Sequence, residues 1–238
     1  MPERDGYIAG VPCWIDTSQP DPEAAVAFYS GLFDWEVEDV MPPGSEGKYF
    51  IARIRGGDVA GIGGVAEGAP AIATWNTYVW VESADETAAK VTDAGGTVLM
   101  EPFDVMDSGR MAVLSDPEGA AFCVWEAKQH KGARIVNEAG SLNFNNLNTR
   151  DAESAKTFYG SVFYHLPVDM IDGKPIRNLD FRPLGIAKII NATQHTADAH
   201  GKLFRLGRAA DVVVGDLKGL QCCVKIIFAS SGSNGNDR

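Results

Sequence analysis

Eight residues have types and positions suited to holding a small organic molecule: Trp14, Asp16, Asn76, Tyr78, Trp80, Arg110, Cys123 and Trp125. Seven of them fall in three strand-like runs, PCWIDTSQ, TWNTYVWVE (74–82) and AAFCVWEA (120–127). Successive side chains of a strand point to opposite faces. That alternation sets Trp14 and Asp16 against Cys13, Ile15 and Thr17, and Asn76, Tyr78 and Trp80 against Thr77, Val79 and Val81. In the third run Cys123 and Trp125 oppose Phe122 and Val124. The β-branched faces are expected to pack on helices, which leaves the mixed aromatic and polar faces to line a cavity. An apolar pocket with a few placed polar groups is the usual form of a small-molecule site. Trp14, Tyr78, Trp80 and Trp125 either stack on a planar ligand or fill the interior as plain core. Arg110 opens RMAVLS (110–115) and is either an anion clamp or a surface arginine paired with Asp104 or Asp107.

Histidine is absent from residues 1–129, so the commonest general base is missing from this stretch. Asp16 is the remaining catalytic candidate, because Asp116 sits in the Asp116-Pro117-Glu118-Gly119 turn. Gly61-Ile62-Gly63-Gly64-Val65-Ala66 is not followed by a capped helix, which argues against a dinucleotide loop. His195 and His200 lack zinc-helix spacing. No serine stands in a G-x-S-x-G elbow.

The elements that must position these residues recur along the chain. WIDTSQPDPEAAVAFYSGLFDW (14–35) matches FNNLNTRDAESAKTFYGSVFYH (144–165) at an offset of 130. Asp21, Glu23, Ala25, Phe28, Tyr29 and Phe33 recur as Asp151, Glu153, Ala155, Phe158, Tyr159 and Phe163. Apolar residues at helical spacing follow a capping Asp in each copy, with Pro22 at the first helical position of the first. A related unit lies between: the strand 74–82, a Ser83–Glu86 capping box, a helix ended by Gly95-Gly96, and three more strands. Residues 11–126 therefore read as two consecutive βαβββ units, an α+β arrangement.

The chain resembles the vicinal oxygen chelate superfamily, which includes glyoxalase I, extradiol dioxygenases and bleomycin-resistance proteins, and within it tandem-domain actinobacterial glyoxalase-like proteins. The resemblance rests on FYSGLFDW, on Gly95-Gly96 and on GRMAVLSDPEGAAFCVW (109–125), and it covers about residues 10–165. It implies that paired units curl into a half-open barrel with the site on the concave face. Members often use a divalent metal held by His or Gln at the start of each inner strand and Glu on the last. Here those positions fall on Trp14, Asn76, Cys123 and the Gly-rich run DVAGIGGV (58–65). One soft ligand does not hold Fe, Mn, Ni or Zn, so no metal and no other cofactor is expected. The expected function is binding of a small organic ligand; the alternative is a lyase, isomerase or dioxygenase acting on a small oxygenated substrate.

The expected domain plan is a glyoxalase-like domain over 8–127, a linker over 128–139, the start of a second such domain over 140–165, and a tail over 166–238. All 13 glutamates precede residue 165, and the net charge passes from −14 over 1–164 to +3 over 165–238. The tail is either divergent or the product of a lost reading frame, with LQCCVKIIFA (220–229) a strand in the former case. An incomplete second domain leaves an apolar helix face in need of a cover, from domain one or by self-association. A net charge of −11 argues against nucleic acid and anionic membrane as partners. The N-terminus lacks a signal-peptide pattern and the four cysteines form no disulfide framework, so a reduced, cytoplasmic setting is expected.

Overall fold

The computed structural model describes residues 3–65, 67–68, 70–163, 190–191 and 223–228. The reading of most of the tail, with His165, His195 and His200, lies outside these residues. The first unit is β1 (Pro12–Gln19), α1 (Pro22–Phe33), β2 (Glu36–Asp39), β3 (Tyr49–Ile54) and β4 (Gly57–Gly64). The second is β5 (Thr74–Trp80), α2 (Ala84–Asp93), β6 (Thr97–Val105), β7 (Gly109–Ser115) and β8 (Ala121–Ala127). β9 (Leu142–Thr149) and α3 (Ala152–Phe163) repeat the opening of a unit. β10 (Ile190–Asn191) and β11 (Cys223–Phe228) flank β9, so a strand forms within the run read at 220–229.

The first two units form one eight-stranded sheet in the order β2-β3-β4-β1-β5-β8-β7-β6. Within each unit the first and last strands pair in parallel, β1 with β4 and β5 with β8. The units meet where β1 and β5 pair antiparallel. The two βαβββ units are those the spacing predicts, and the curled, open sheet they share is the half-open barrel that the resemblance implies.

Local signals explain the helices. Asp21 Oδ1 accepts from Ala24 N at 2.9 Å and starts α1. Asp34 takes the left-handed conformation at the end of α1 (φ 58°), and its N–H reaches Ser30 O. Ser83 Oγ accepts from Glu86 N, and Gly95 (φ +87°) and Gly96 close α2, with Gly96 N bonding Val91 O at 2.9 Å.

Two apolar clusters lie between the sheet and the helices. Ile15, Tyr29, Trp35 and Ile62 pack under α1, while Val81, Val91, Leu114 and Val124 pack under α2. Phe158 and Val162 of α3 join the second cluster, so the apolar face of the repeated helix is covered by domain one. Trp35 Nε1 donates to Gly140 O at 2.8 Å and ties the first unit to the start of the repeat.

Candidate functional site

The concave face of the sheet carries a third cluster: Cys13, Trp14, Ile51, Tyr78, Cys123, Trp125 and Ala133, with Tyr7, Tyr49 and Trp80 packed against it. At its centre is Asp16, only 5% exposed. Register explains the convergence. Asp16 stands opposite Asn76 on β5 and opposite Gly61 on β4. Asn76 Nδ2 donates to Asp16 Oδ1 at 2.8 Å. Tyr78 Oη and Tyr49 Oη both donate to Asp16 Oδ2, at 2.8 and 3.0 Å. Trp14 Nε1 in turn donates to Tyr49 Oη at 3.2 Å. Indole, phenol and carboxylate thus form a chain across β1, β3 and β5, and buried polar groups of this kind need such partners.

Seven of the eight residues picked out above gather on or beside this face: Trp14, Asp16, Asn76, Tyr78, Trp80, Cys123 and Trp125. Cys13 joins them although simple alternation puts it on the other side. A register shift between Pro12 and Trp14 breaks the period there, and Cys13 Sγ lies 3.4 Å from Tyr78 O. Arg110 stands apart. Its Nε and Nη2 bond both oxygens of Asp85, at 2.7 and 2.9 Å, and Nη1 lies 3.6 Å from Asp104. Of the two partners expected for a surface arginine, Asp104 is present and Asp107 is replaced by Asp85 at the start of α2.

Two functional candidates escaped the sequence reading. Tyr49 shares a strand face with Ile51, but only the closeness of β3 to β1 brings its hydroxyl to Asp16. Gly61 makes that approach possible. A Cβ there would meet Tyr49 Oη at 2.2 Å and Asp16 Cβ at 2.9 Å. The Gly-rich strand is therefore a bed for a phenol ring. His130 is the second. The segment read as a linker folds back along the sheet, with Ala133 N bonding Cys13 O at 2.8 Å and Arg134 N bonding Asp58 O at 2.8 Å. His130 sets its ring edge-on to Trp14 at 4.5 Å and to Trp125 at 5.8 Å. Its carbonyl accepts from Trp125 Nε1 at 2.9 Å, while its buried Nε2 has no protein partner. A cavity of about 500 Å³ opens beside it, lined also by Arg4, Asp58, Lys131 and Arg134.

Burial raises the Asp16 carboxyl above its usual range, against the opposing effect of its hydrogen bonds from Asn76, Tyr78 and Tyr49. Burial lowers the imidazole of His130, against a weaker opposite pull from Asp58. The two shifts make opposite predictions. Folded Asp16 holds its proton more tightly than the unfolded chain does, so stability falls as pH rises from about 4 through its raised value. His130 binds a proton less readily when folded, so stability falls as pH drops below about 6.5. Urea midpoints measured across pH check both. Asp16→Asn should remove the first slope, and His130→Phe the second.

The donor set does not suit the divalent metal of the resembled superfamily. Asp16 already receives three hydrogen bonds, Asn76 turns its NH2 toward Asp16, and position 14 is an indole. Among the described residues no group of three or more His, Cys, Asp or Glu could hold a metal ion. Burial raises the thiols of Cys13 and Cys123, which keeps them protonated; both are free and buried. No helix among the described residues is long and apolar enough to cross a membrane.

Comparison with known proteins decides the family. Residues 14–125 match the model of a glyoxalase-like domain. A Mycobacterium tuberculosis (strain CDC 1551 / Oshkosh) protein named "Putative glyoxylase CFP32" is 40% identical over 185 residues, spanning 75% of this chain and 70% of that protein. The chain belongs to the glyoxalase-like vicinal oxygen chelate superfamily. The anthracycline biosynthesis protein DauV of Streptomyces sp. (strain C5) is 37% identical over 177 residues, 68% of this chain and 64% of that one. Among solved structures, the Mn(II)-bound glyoxalase of Novosphingobium aromaticivorans is similar at 18% identity and a TM-score of 0.45, covering 65% of this chain and 52% of that one. In this glyoxalase-like chain the hub of the concave face is a carboxylate, Asp16, ringed by hydrogen-bond donors.

Proposed function

We propose that this glyoxalase-like protein binds a small organic molecule at the aromatic concave face, without a metal. The observation that carries the reading is His130, which belongs both to the lining of the cavity and to the aromatic cluster through Trp14 and Trp125. The cavity volume of about 500 Å³ falls within the usual range for small-molecule sites. A ligand resting on His130 has two indole rings immediately behind it, and the charged side chains of Arg4, Lys131 and Arg134 on the same cavity wall are hydrogen-bond donors for an oxygen function of that ligand. The Asp16 network holds the wall in place: its tyrosines stay protonated because burial raises both, so they act as fixed donors.

A screen of small oxygenated aromatic compounds, read by tryptophan fluorescence, tests the reading. A binder should shift or quench the emission of Trp14 and Trp125, and His130→Ala should weaken its binding at least tenfold. If no compound in a broad screen changes the emission, the aromatic face is plain core and the proposal fails. One tightly held transition metal per purified chain would also overturn it. The catalytic alternative, a lyase, isomerase or dioxygenase of this superfamily, draws support from the name of the mycobacterial relative. Turnover of a bound compound that is lost in Asp16→Asn while binding persists would favour that alternative.

A further inference from the structure

The charges on the wall of the His130 cavity are unevenly matched. Arg4, Lys131 and Arg134 are positive; Glu3, Asp5 and Asp58 are negative. Two of the acids are already engaged. Glu3 pairs with Arg134, and Asp58 pairs at 2.7 Å with Arg53, which lies outside the lining. His130 adds no charge near neutral pH, because burial lowers its imidazole. Among the described residues, neither Arg4 nor Lys131 has a carboxylate partner, and Asp5 is the one acid of the wall outside an ion pair. The wall therefore keeps a surplus of one positive charge, on a chain whose net charge is −11.

The two free cations are held in place by the fold. The backbone N–H of Arg4 donates to Arg134 O at 2.9 Å, and its guanidinium lies over the Tyr7 ring, 5.2 Å from the centre. Tyr7 is fixed in turn, its hydroxyl donating to Ala133 O at 2.6 Å. A guanidinium laid over an aromatic ring keeps its N–H donors free, in a planar fork that matches the two oxygens of a carboxylate. Lys131 is set by its neighbours. His130 N donates to Ser108 O at 3.0 Å, and Ala133 N donates to Cys13 O at 2.8 Å. Gly132 between them takes φ +83°, and a Cβ there would lie 2.5 Å from Cys13 O, so the backbone beside Lys131 has one course open to it. We infer that the ligand of this cavity is an aromatic carboxylate, its ionised group held by Arg4 and Lys131 and its ring set against His130 with the indoles of Trp14 and Trp125 behind. The inference rests on the reading of this face as a small-molecule site. A single surplus positive charge matches a monoanion, and the fork of Arg4 matches its two oxygens.

Three probes that share one ring and differ in charge test the inference: 2-naphthoate, 2-naphthamide and 2-naphthylmethylammonium. Their affinities for the full chain near neutral pH are read by isothermal titration calorimetry. Naphthoate should bind roughly tenfold more tightly than naphthamide, and the ammonium most weakly. Arg4→Gln and Lys131→Gln should each cut the naphthoate-to-naphthamide affinity ratio by roughly threefold or more. Glu3→Gln, which frees Arg134, should raise that ratio. His130→Ala should weaken naphthoate and naphthamide alike, because its contact is with the ring. Equal affinities for naphthoate and naphthamide overturn the inference and leave the small-molecule reading standing. So does tightest binding by the ammonium, which would assign the wall to Asp5 and Asp58. A ratio unchanged in both the Arg4 and the Lys131 variants places the anion elsewhere and overturns the inference as well. No binding of any of the three at millimolar concentration overturns it together with the reading on which it rests.

Discussion

Phe158→Ala should cost about 3–5 kcal/mol, the range for removing a buried phenylalanine from a packed core. The ring lies in the cluster of α2, β7 and β8 and is 4% exposed. Its Cε2 rests where Gly96 has no side chain, so neighbouring atoms have little means of closing the void. The loss falls on the contact between the repeat and domain one, so α3 should be released before the eight-stranded sheet melts. Urea denaturation gives the magnitude, and limited proteolysis between residues 139 and 151 gives the location. Phe28→Ala is the internal control. The corresponding ring on α1 is 61% exposed, and its removal should change stability by less than about 0.5 kcal/mol. Equal costs at the two positions would show that the repeat does not depend on domain one for its cover.

Gly61→Val is the second large effect, for the opposite reason. Here atoms are added where none fit. The first carbon of any side chain would lie 2.2 Å from Tyr49 Oη and 2.7 Å from Tyr49 Cζ. The ring cannot step aside without leaving Asp16 and the indole N–H of Trp14. Overpacking and the loss of buried hydrogen bonds together should cost about 3 kcal/mol or more. Near-ultraviolet circular dichroism should lose the aromatic signal of the concave face, and ligand binding should go with it. Gly31→Ala makes the contrast: nothing lies within 4 Å of a Cβ there, and a helix interior favours alanine by roughly 0.5–1 kcal/mol. A Gly61→Val protein with unchanged stability and spectrum would mean that the Tyr49–Asp16 contact is dispensable.

Both results depend on contacts between segments far apart in the chain, and this marks the boundary of what the sequence shows. Helices α1 and α2 were legible because their signals are local: Asp21 with Pro22, Ser83 with Glu86, and Gly95-Gly96 act within a turn of the backbone. The inward faces of β5 and β8 were legible because alternation needs nothing beyond the strand itself. Cys13 escaped because one irregularity in β1 breaks the period. For Arg110 the surface pairing with Asp104 was legible, but its main partner, Asp85, was not, because that carboxylate comes from a helix 25 residues away in sequence.

By itself, then, the sequence determined the two βαβββ units, the repeat at 130 residues, the family resemblance, and most of the aromatic and polar side chains of the concave face. It determined these through short-range chemistry: caps, turns and the two-residue period of a strand. The tertiary structure alone decided that Tyr49 crosses a glycine strand to reach Asp16, and that the segment after β8 returns to place His130 between two indoles. It also decided that Phe158 and Val162 of α3 are covered while their counterparts on α1, Phe28 and Leu32, are exposed. Each of these depends on how strands close in space and which surfaces meet, and the physical reason is the same in all three. Burial and hydrogen bonding reward proximity in space, whatever the separation along the chain.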